Sequence, residues 1–236
     1  MSDALSACVL HCKLVFFACL VLRLRKKARC SLGKFLLMSL IHIQPALPSY
    51  RIDFFRRLAA HYGDGMHVYY SPVDMGPLTV PRDHDPWEHP IGPMRNPIRG
   101  VEWQVGALSV PFKRGDTVVV CGAPRNLSTL LLLIRARMIG ARTIWWGQYW
   151  SATTDPRRHR LRMKLSRLAD ALLFYTDAEV ARFHADGWTH PGPVGALNNG
   201  IDLGQASRLR RAFNPAERGR DLLFIGRLTE KAQLGL

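Results

Sequence analysis

Residues 117–146 constrain this chain most. Thr117-Val-Val-Val-Cys121 is a run of apolar, β-branched residues with no polar alternation, so it reads as a strand buried on both faces. The loop Gly122-Ala-Pro-Arg-Asn126 follows, with Asn126 placed to cap a helix. In that helix residues 130–134 are apolar on every side, which predicts a buried element, and Gly140 marks its stop. Arg142-Thr-Ile-Trp-Trp146 is a second strand. Strand, helix and strand at this spacing form a β-α-β unit with a parallel, right-handed crossover.

The same alternation extends in both directions. Residues 39–43 predict a first strand, and Ile52, Phe54, Phe55, Leu58 and Ala59 give residues 51–60 a helical spacing. Residues 66–70, 171–175 and 194–197 read as further strands, and Thr176-Asp-Ala-Glu179 is a capping box at the head of a helix that ends before Gly187. The fold class is therefore α/β, a Rossmann-like parallel sheet flanked by helices over residues 38–202. Between residues 71 and 100 proline, glycine and charge dominate, and we expect a variable loop. His84, Asp85 and His89 lie there without a rigid element to fix them as metal ligands, so no metal is expected.

Asp155-Pro156 opens another helix, which carries Arg157, Arg158, Arg160, Arg162, Lys164 and Arg167. Leu161, Leu165 and Leu168 share one side, so the helix reads as amphipathic with a basic exterior suited to an acidic membrane surface. The whole chain of 236 residues has a formal charge of +15 and a pI near 10.3, which favours anionic partners without choosing among them. Nucleic acid is not expected, because no recognition helix, zinc spacing or stacking motif accompanies the charge. A dinucleotide cofactor is not expected either, since no G-x-G-x-x-G follows the first strand. Cys8, Cys12, Cys19 and Cys30 are irregularly spaced and fit no disulfide or zinc framework, and Cys121 reads as strand packing. A reducing, cytoplasmic setting fits this usage.

Residues 1–37 form an N-terminal extension. Its apolar run, 14–22, falls short of the roughly 20 residues of a spanning helix, and Arg23, Arg25, Lys26, Lys27 and Arg29 follow it rather than precede it. Two readings stand. The run anchors the chain with everything after Arg23 on the cytoplasmic side, or the folded protein starts at Met38.

Toward the other end, Val194-Gly-Ala-Leu-Asn-Asn-Gly-Ile-Asp202 closes on an asparagine-glycine turn. After a polar stretch over residues 203–220, Asp221-Leu-Leu-Phe-Ile-Gly-Arg-Leu-Thr-Glu-Lys231 pairs a buried strand with a basic loop. Together these stretches resemble the interdomain region of the family 4 glycosyltransferases, which have the GT-B fold of two Rossmann-like domains. The resemblance covers roughly residues 38–231. It implies an acceptor-side domain over 38–202, a linker over 203–220 and a truncated start of the donor-binding domain over 221–236. The expected function is transfer of a sugar from a nucleotide sugar to a polysaccharide or lipid-linked acceptor, with the nucleotide sugar as substrate and no cofactor. The isolated chain is expected to be inactive, because the family's carboxylate motif is not encoded in it.

By the same resemblance Arg227 and Lys231 hold the donor diphosphate, and stabilising its departure carries the reaction. Ala232-Gln233 stand where the family commonly places a glycine. The loop after the first strand, glycine-rich in the family, here reads P-x-x-P-S-Y-R and offers Tyr50 and Arg51 as cleft residues. Asn199 belongs to the closing turn. Gln148, in the loop after residue 146, occupies a position where some members have histidine, and an amide exchanges no proton near neutral pH. Trp150 of that loop is a sugar-stacking candidate, with Trp145 and Trp146 weaker ones. A peripheral position at the inner face of the plasma membrane follows from the basic helix. The alternative reading is a non-catalytic Rossmann-like module bound to an acidic membrane or anionic polymer.

Overall fold

A computed structural model of the chain describes residues 38–73, 83–150 and 155–198. All of them lie in the first of two units into which the chain divides, Met1–Ile201. The described elements run β1 (Leu40–Gln44), α1 (Ile52–Tyr62), β2 (Met66–Tyr70), β3 (Glu88–Pro90), β4 (Met94–Ile98), β5 (Val101–Gln104), β6 (Thr117–Cys121), α2 (Leu127–Ile139), β7 (Arg142–Trp146), α3 (Pro156–Ser166), β8 (Ala171–Phe174), α4 (Asp177–Ala185) and β9 (Val194–Ala196). Seven strands form one sheet in the order β3-β2-β1-β6-β7-β8-β9. Every pairing in it is parallel. This is a Rossmann-like α/β fold, as the strand-helix alternation predicts.

The order reverses between β1 and β6. From β1 the chain crosses outward one way to β2, and from β6 it crosses the other way through β7, β8 and β9. A common crossover hand then puts α1 on one face and the later helices on the other. The two cores follow this division. Leu40, Val68, Val119, Ile144 and Leu173 pack with Phe55 and Leu58 of α1. Ile41, Ile43, Val118, Val120, Trp145 and Leu172 pack with Leu132 and Leu133 of α2, Met163 of α3 and Phe183 of α4. Val119 and its neighbours Val118 and Val120 thus serve opposite cores, which is why the run has no polar position to spare. Each such side chain contributes about 1.5–3 kcal/mol when fully buried.

Helix starts follow local chemistry. The Asn126 side chain accepts from the Thr129 N–H to cap α2, Asp155 accepts from Arg157 N–H at the head of α3, and both reciprocal bonds of the Thr176–Glu179 capping box are made at α4.

Three expectations are corrected. The segment from 71 to 100 is not only a loop: β3 adds a seventh strand beside β2, and β4 and β5 form a separate antiparallel hairpin. As an edge strand β3 is held by main-chain bonds, from Val68 N–H to Trp87 O and from Ile91 N–H to Tyr70 O, both 2.8 Å, which need no apolar pattern. Second, α2 is not buried all round. It buries Leu132, Leu133 and Ala136, whereas Ile134 and Met138 are 50% and 82% exposed. Third, of the three leucines expected on one face of α3 only Leu165 packs against the core. Met163 and Ser166 are buried, while Leu161 and Leu168 stand 52% and 42% exposed among the cations.

Candidate functional site

A doubly wound sheet opens a crevice outside the carboxyl ends of the two strands where its order reverses. Here those ends are Gln44 of β1 and Cys121 of β6. After Gln44 the chain passes through Pro45 to Pro48 into a short 3-10 turn, Ser49–Arg51, that runs on into α1, and neither the turn nor the helix has a side-chain cap. This loop lifts Tyr50 and Arg51 to the crevice.

Arg51 is half-buried among neutral groups. Its Nη1 donates to Gln44 Oε1 and its Nη2 to the Tyr175 hydroxyl, both at 3.2 Å. Its guanidinium carbon lies 4.6 Å from the centroid of the Trp146 ring and 5.7 Å from those of Tyr50 and Tyr175. Among the described residues no carboxylate pairs with it. Three donors in this neighbourhood are buried without an acceptor: Arg51 Nε, Gln44 Nε2 and Trp146 Nε1. Each such group costs about 1–3 kcal/mol.

The titratable groups below follow from this burial. Burial, reinforced by the Arg51 charge, lowers His42 to about 3, so its imidazole is neutral between Phe55 and Trp146, which approach it edge-on. Burial pushes the Cys121 thiol up to about 11 against the pull of Arg51, so it is no thiolate nucleophile at neutral pH. Burial also raises the Tyr175 hydroxyl, again opposed by Arg51. The cluster offers one fixed cation and several neutral donors, and its chemistry is electrostatic recognition rather than covalent catalysis.

The walls come from loops that need close contact. A Cβ on Gly122 would meet Trp145 Nε1 at 2.3 Å, and one on Gly147 would meet Gly122 Cα at 2.9 Å, so the turns after β6 and β7 press backbone to backbone. On the other side β5 docks its Gln104 against the end of β1. Gln104 Nε2 donates to Gln44 O at 2.7 Å and to Ser71 Oγ at 3.1 Å, and Gln104 N–H donates to Ser128 Oγ at 2.9 Å. Glu102 of the same strand pairs with Arg125 at 2.8 Å.

Of the sequence candidates, Tyr50 and Arg51 stand together at the crevice. Gln148 and Trp150 are exposed on the loop after β7, Trp150 at 55%, and neither is a partner of Arg51. Trp145 is fully buried and cannot stack on a sugar, and Trp146 lies beneath the Arg51 guanidinium instead. Asn199, Arg227 and Lys231 lie outside the described residues. Next to Asn199, Asn198 holds φ +54 and accepts the Asp177 N–H at 2.7 Å. Gln44, Tyr175 and Gln104 escape a sequence reading, since a polar residue at a strand end is their only sign, and Trp146, a stacking candidate in the sequence, is instead part of the Arg51 cluster. The histidines and acid of 84–89 go elsewhere: His89 bonds His67 at 3.0 Å, His84 lies 3.3 Å from Glu88, and Asp85 pairs with Arg56 at 3.0 Å.

The basic helix is a second feature. Arg157, Arg158, Arg160, Lys164 and Arg167 are exposed, and among the described residues none pairs with an acid. Arg162 departs from them. It turns inward to donate to Tyr149 O at 3.5 Å, and desolvation lowers its pKa. No helix of the described residues is long and apolar enough to cross a membrane.

Comparison of the chain with protein-family models, with curated proteins and with solved structures gives no match.

Proposed function

We propose that the described domain is the acceptor-side half of a glycosyltransferase of GT-B type, transferring a sugar from a nucleotide sugar to a polysaccharide or lipid-linked acceptor. The observation that carries the reading is the reversal of strand order between β1 and β6, with Tyr50 and Arg51 on the loop after β1 and Gln148 and Trp150 on the loop after β7 at the same carboxyl edge of the sheet. The motifs of residues 194–202 and 221–231 supply its chemistry. In this reading Arg227 and Lys231 neutralise the departing diphosphate, Asn199 closes the domain and the nucleotide sugar is the only small-molecule requirement. Binding of a panel of nucleotide sugars to the 236-residue chain, measured by calorimetry, tests it. Saturable binding of one sugar, weakened by Arg227→Ala and by Lys231→Ala, is the expected result. Saturable binding that both variants leave unchanged overturns the roles given to Arg227 and Lys231.

A second reading, attachment to an acidic membrane or anionic polymer, is favoured by α3 and the turn after it, where exposed Leu161 and Leu168 lie among five exposed cations that pair with no acid among the described residues. It is compatible with the first. A lipid-linked acceptor lies at such a surface, on the cytoplasmic side.

A further inference from the structure

The contacts of Arg51 describe a cation waiting for a counter-charge. A half-buried guanidinium is ordinarily matched by a carboxylate, yet its partners here are an amide, a phenol and three aromatic rings. Both hydrogen bonds are 3.2 Å, long beside the roughly 2.7–2.9 Å of a charge-assisted bond. Gln44, only 1% exposed, spends its oxygen on Arg51 and leaves Nε2 with no acceptor; Arg51 Nε and Trp146 Nε1 are left in the same way. An interior rarely leaves three adjacent donors orphaned. Water or a neutral carbonyl would supply acceptors but no charge.

We propose that Gln44, Arg51, Trp146 and Tyr175 form a receptor for an oxyanion, a phosphate or carboxylate group on the ligand that enters the crevice. A small rotation of the guanidinium about its stem exchanges the long bond to the Tyr175 hydroxyl for a short one to the anion and turns Nε toward it. The side chain of Gln44 keeps the other end of the fork in place, and the exposed Tyr50 ring forms the rim. Unlike a glycine-rich loop, this site holds its anion with side chains. The proposal stands on these atoms, and rests on the glycosyltransferase reading only for which substrate carries the anion.

Tryptophan emission and thermal unfolding of the full chain test it. Inorganic phosphate, pyrophosphate, acetate and citrate are added at ionic strength matched with sodium chloride, in wild type and in an Arg227→Ala, Lys231→Ala background. A saturable emission change with a rise in Tm is expected in both, weakened about tenfold or more in Arg51→Met and kept in Arg57→Met, which removes an exposed cation of α1. Gln44→Glu is the decisive variant, because it places a resident carboxylate 3.2 Å from the guanidinium. It folds with unchanged or higher Tm and loses the response, so the test stands even if Arg51→Met does not fold. A response to the phosphates alone assigns a phosphoryl group, and a response to acetate and citrate assigns a carboxylate. No response beyond chloride in wild type, or equal responses in wild type, Arg51→Met and Gln44→Glu, overturns the proposal. Neither result involves sugar transfer, so the fate of the glycosyltransferase reading is separate.

Discussion

Glu179 and Tyr149 are joined across 30 residues by a bond of 2.9 Å from the Tyr149 N–H to Oε1 of the carboxylate. The other oxygen, Oε2, accepts the N–H groups of Tyr175 and Thr176 at 2.9 and 3.0 Å. One buried carboxylate therefore ties the loop after β7 to the loop after β8, and both loops border the carboxyl edge of the sheet.

Glu179→Ala strands these N–H groups and should lower stability by about 2–4 kcal/mol, with Glu179→Gln costing about half as much because the amide keeps one acceptor. Urea denaturation measures the loss, and hydrogen exchange at Tyr149 should accelerate in parallel. An alanine variant as stable as wild type would show that the loops hold each other without it.

Gly147→Ala tests the contact between the turns. Its Cβ would meet Gly122 backbone atoms at 2.9 and 3.0 Å. Those atoms cannot retreat, since the Gly122 N–H is bonded to Trp146 O at 2.7 Å and the Gly147 N–H to Leu173 O at 3.0 Å. A loss of about 1–3 kcal/mol is expected from overpacking. An unchanged melting temperature contradicts the close approach.

Acid stability should report His42. Its folded-state value of about 3 lies below the ordinary 6.5, so the unfolded chain binds the proton more tightly. The folded state is then favoured fully above about pH 6.5 and loses up to about 1.4 kcal/mol per pH unit between there and pH 3. His89, His159 and His190 are also lowered by burial, but they are common to both proteins in a comparison with His42→Gln. The variant's urea midpoint should fall less steeply from pH 7 to pH 5. Identical slopes would mean that His42 protonates without unfolding the chain.

On α3, Arg157→Glu, Arg158→Glu and Arg160→Glu together should abolish flotation with vesicles rich in anionic lipid, since each removed cation costs about 1 kcal/mol of attraction. High salt should do the same. Leu161→Asp should weaken binding further by removing an exposed apolar contact. Equal flotation with neutral vesicles, or with the triple variant, would exclude an electrostatic membrane face.

The sequence by itself determined the sheet. A strand buried on both faces has to be apolar throughout, and Thr117-Val-Val-Val-Cys121, Arg142-Thr-Ile-Trp-Trp146 and the helix caps at Asn126, Asp155 and Thr176 therefore carry their structure locally. β3 was hidden because an edge strand is fixed by main-chain bonds that any side chains allow, and the hairpin around Gly100 is tied down by polar contacts of Gln104 and Glu102. Tyr50 and Arg51 were legible from their place after the first strand. Gln44 and Tyr175 were not, nor was the place of Trp146 beneath Arg51, because they come from β1, the end of β8 and β7, far apart in the chain. Likewise the composition of α2 and α3 announced helices, but docking chose which residues faced inward, leaving Met138 and Leu161 in water. Local patterns fix an element's period. Only the crossover geometry brings three strand ends to one guanidinium and leaves it with no carboxylate among the described residues.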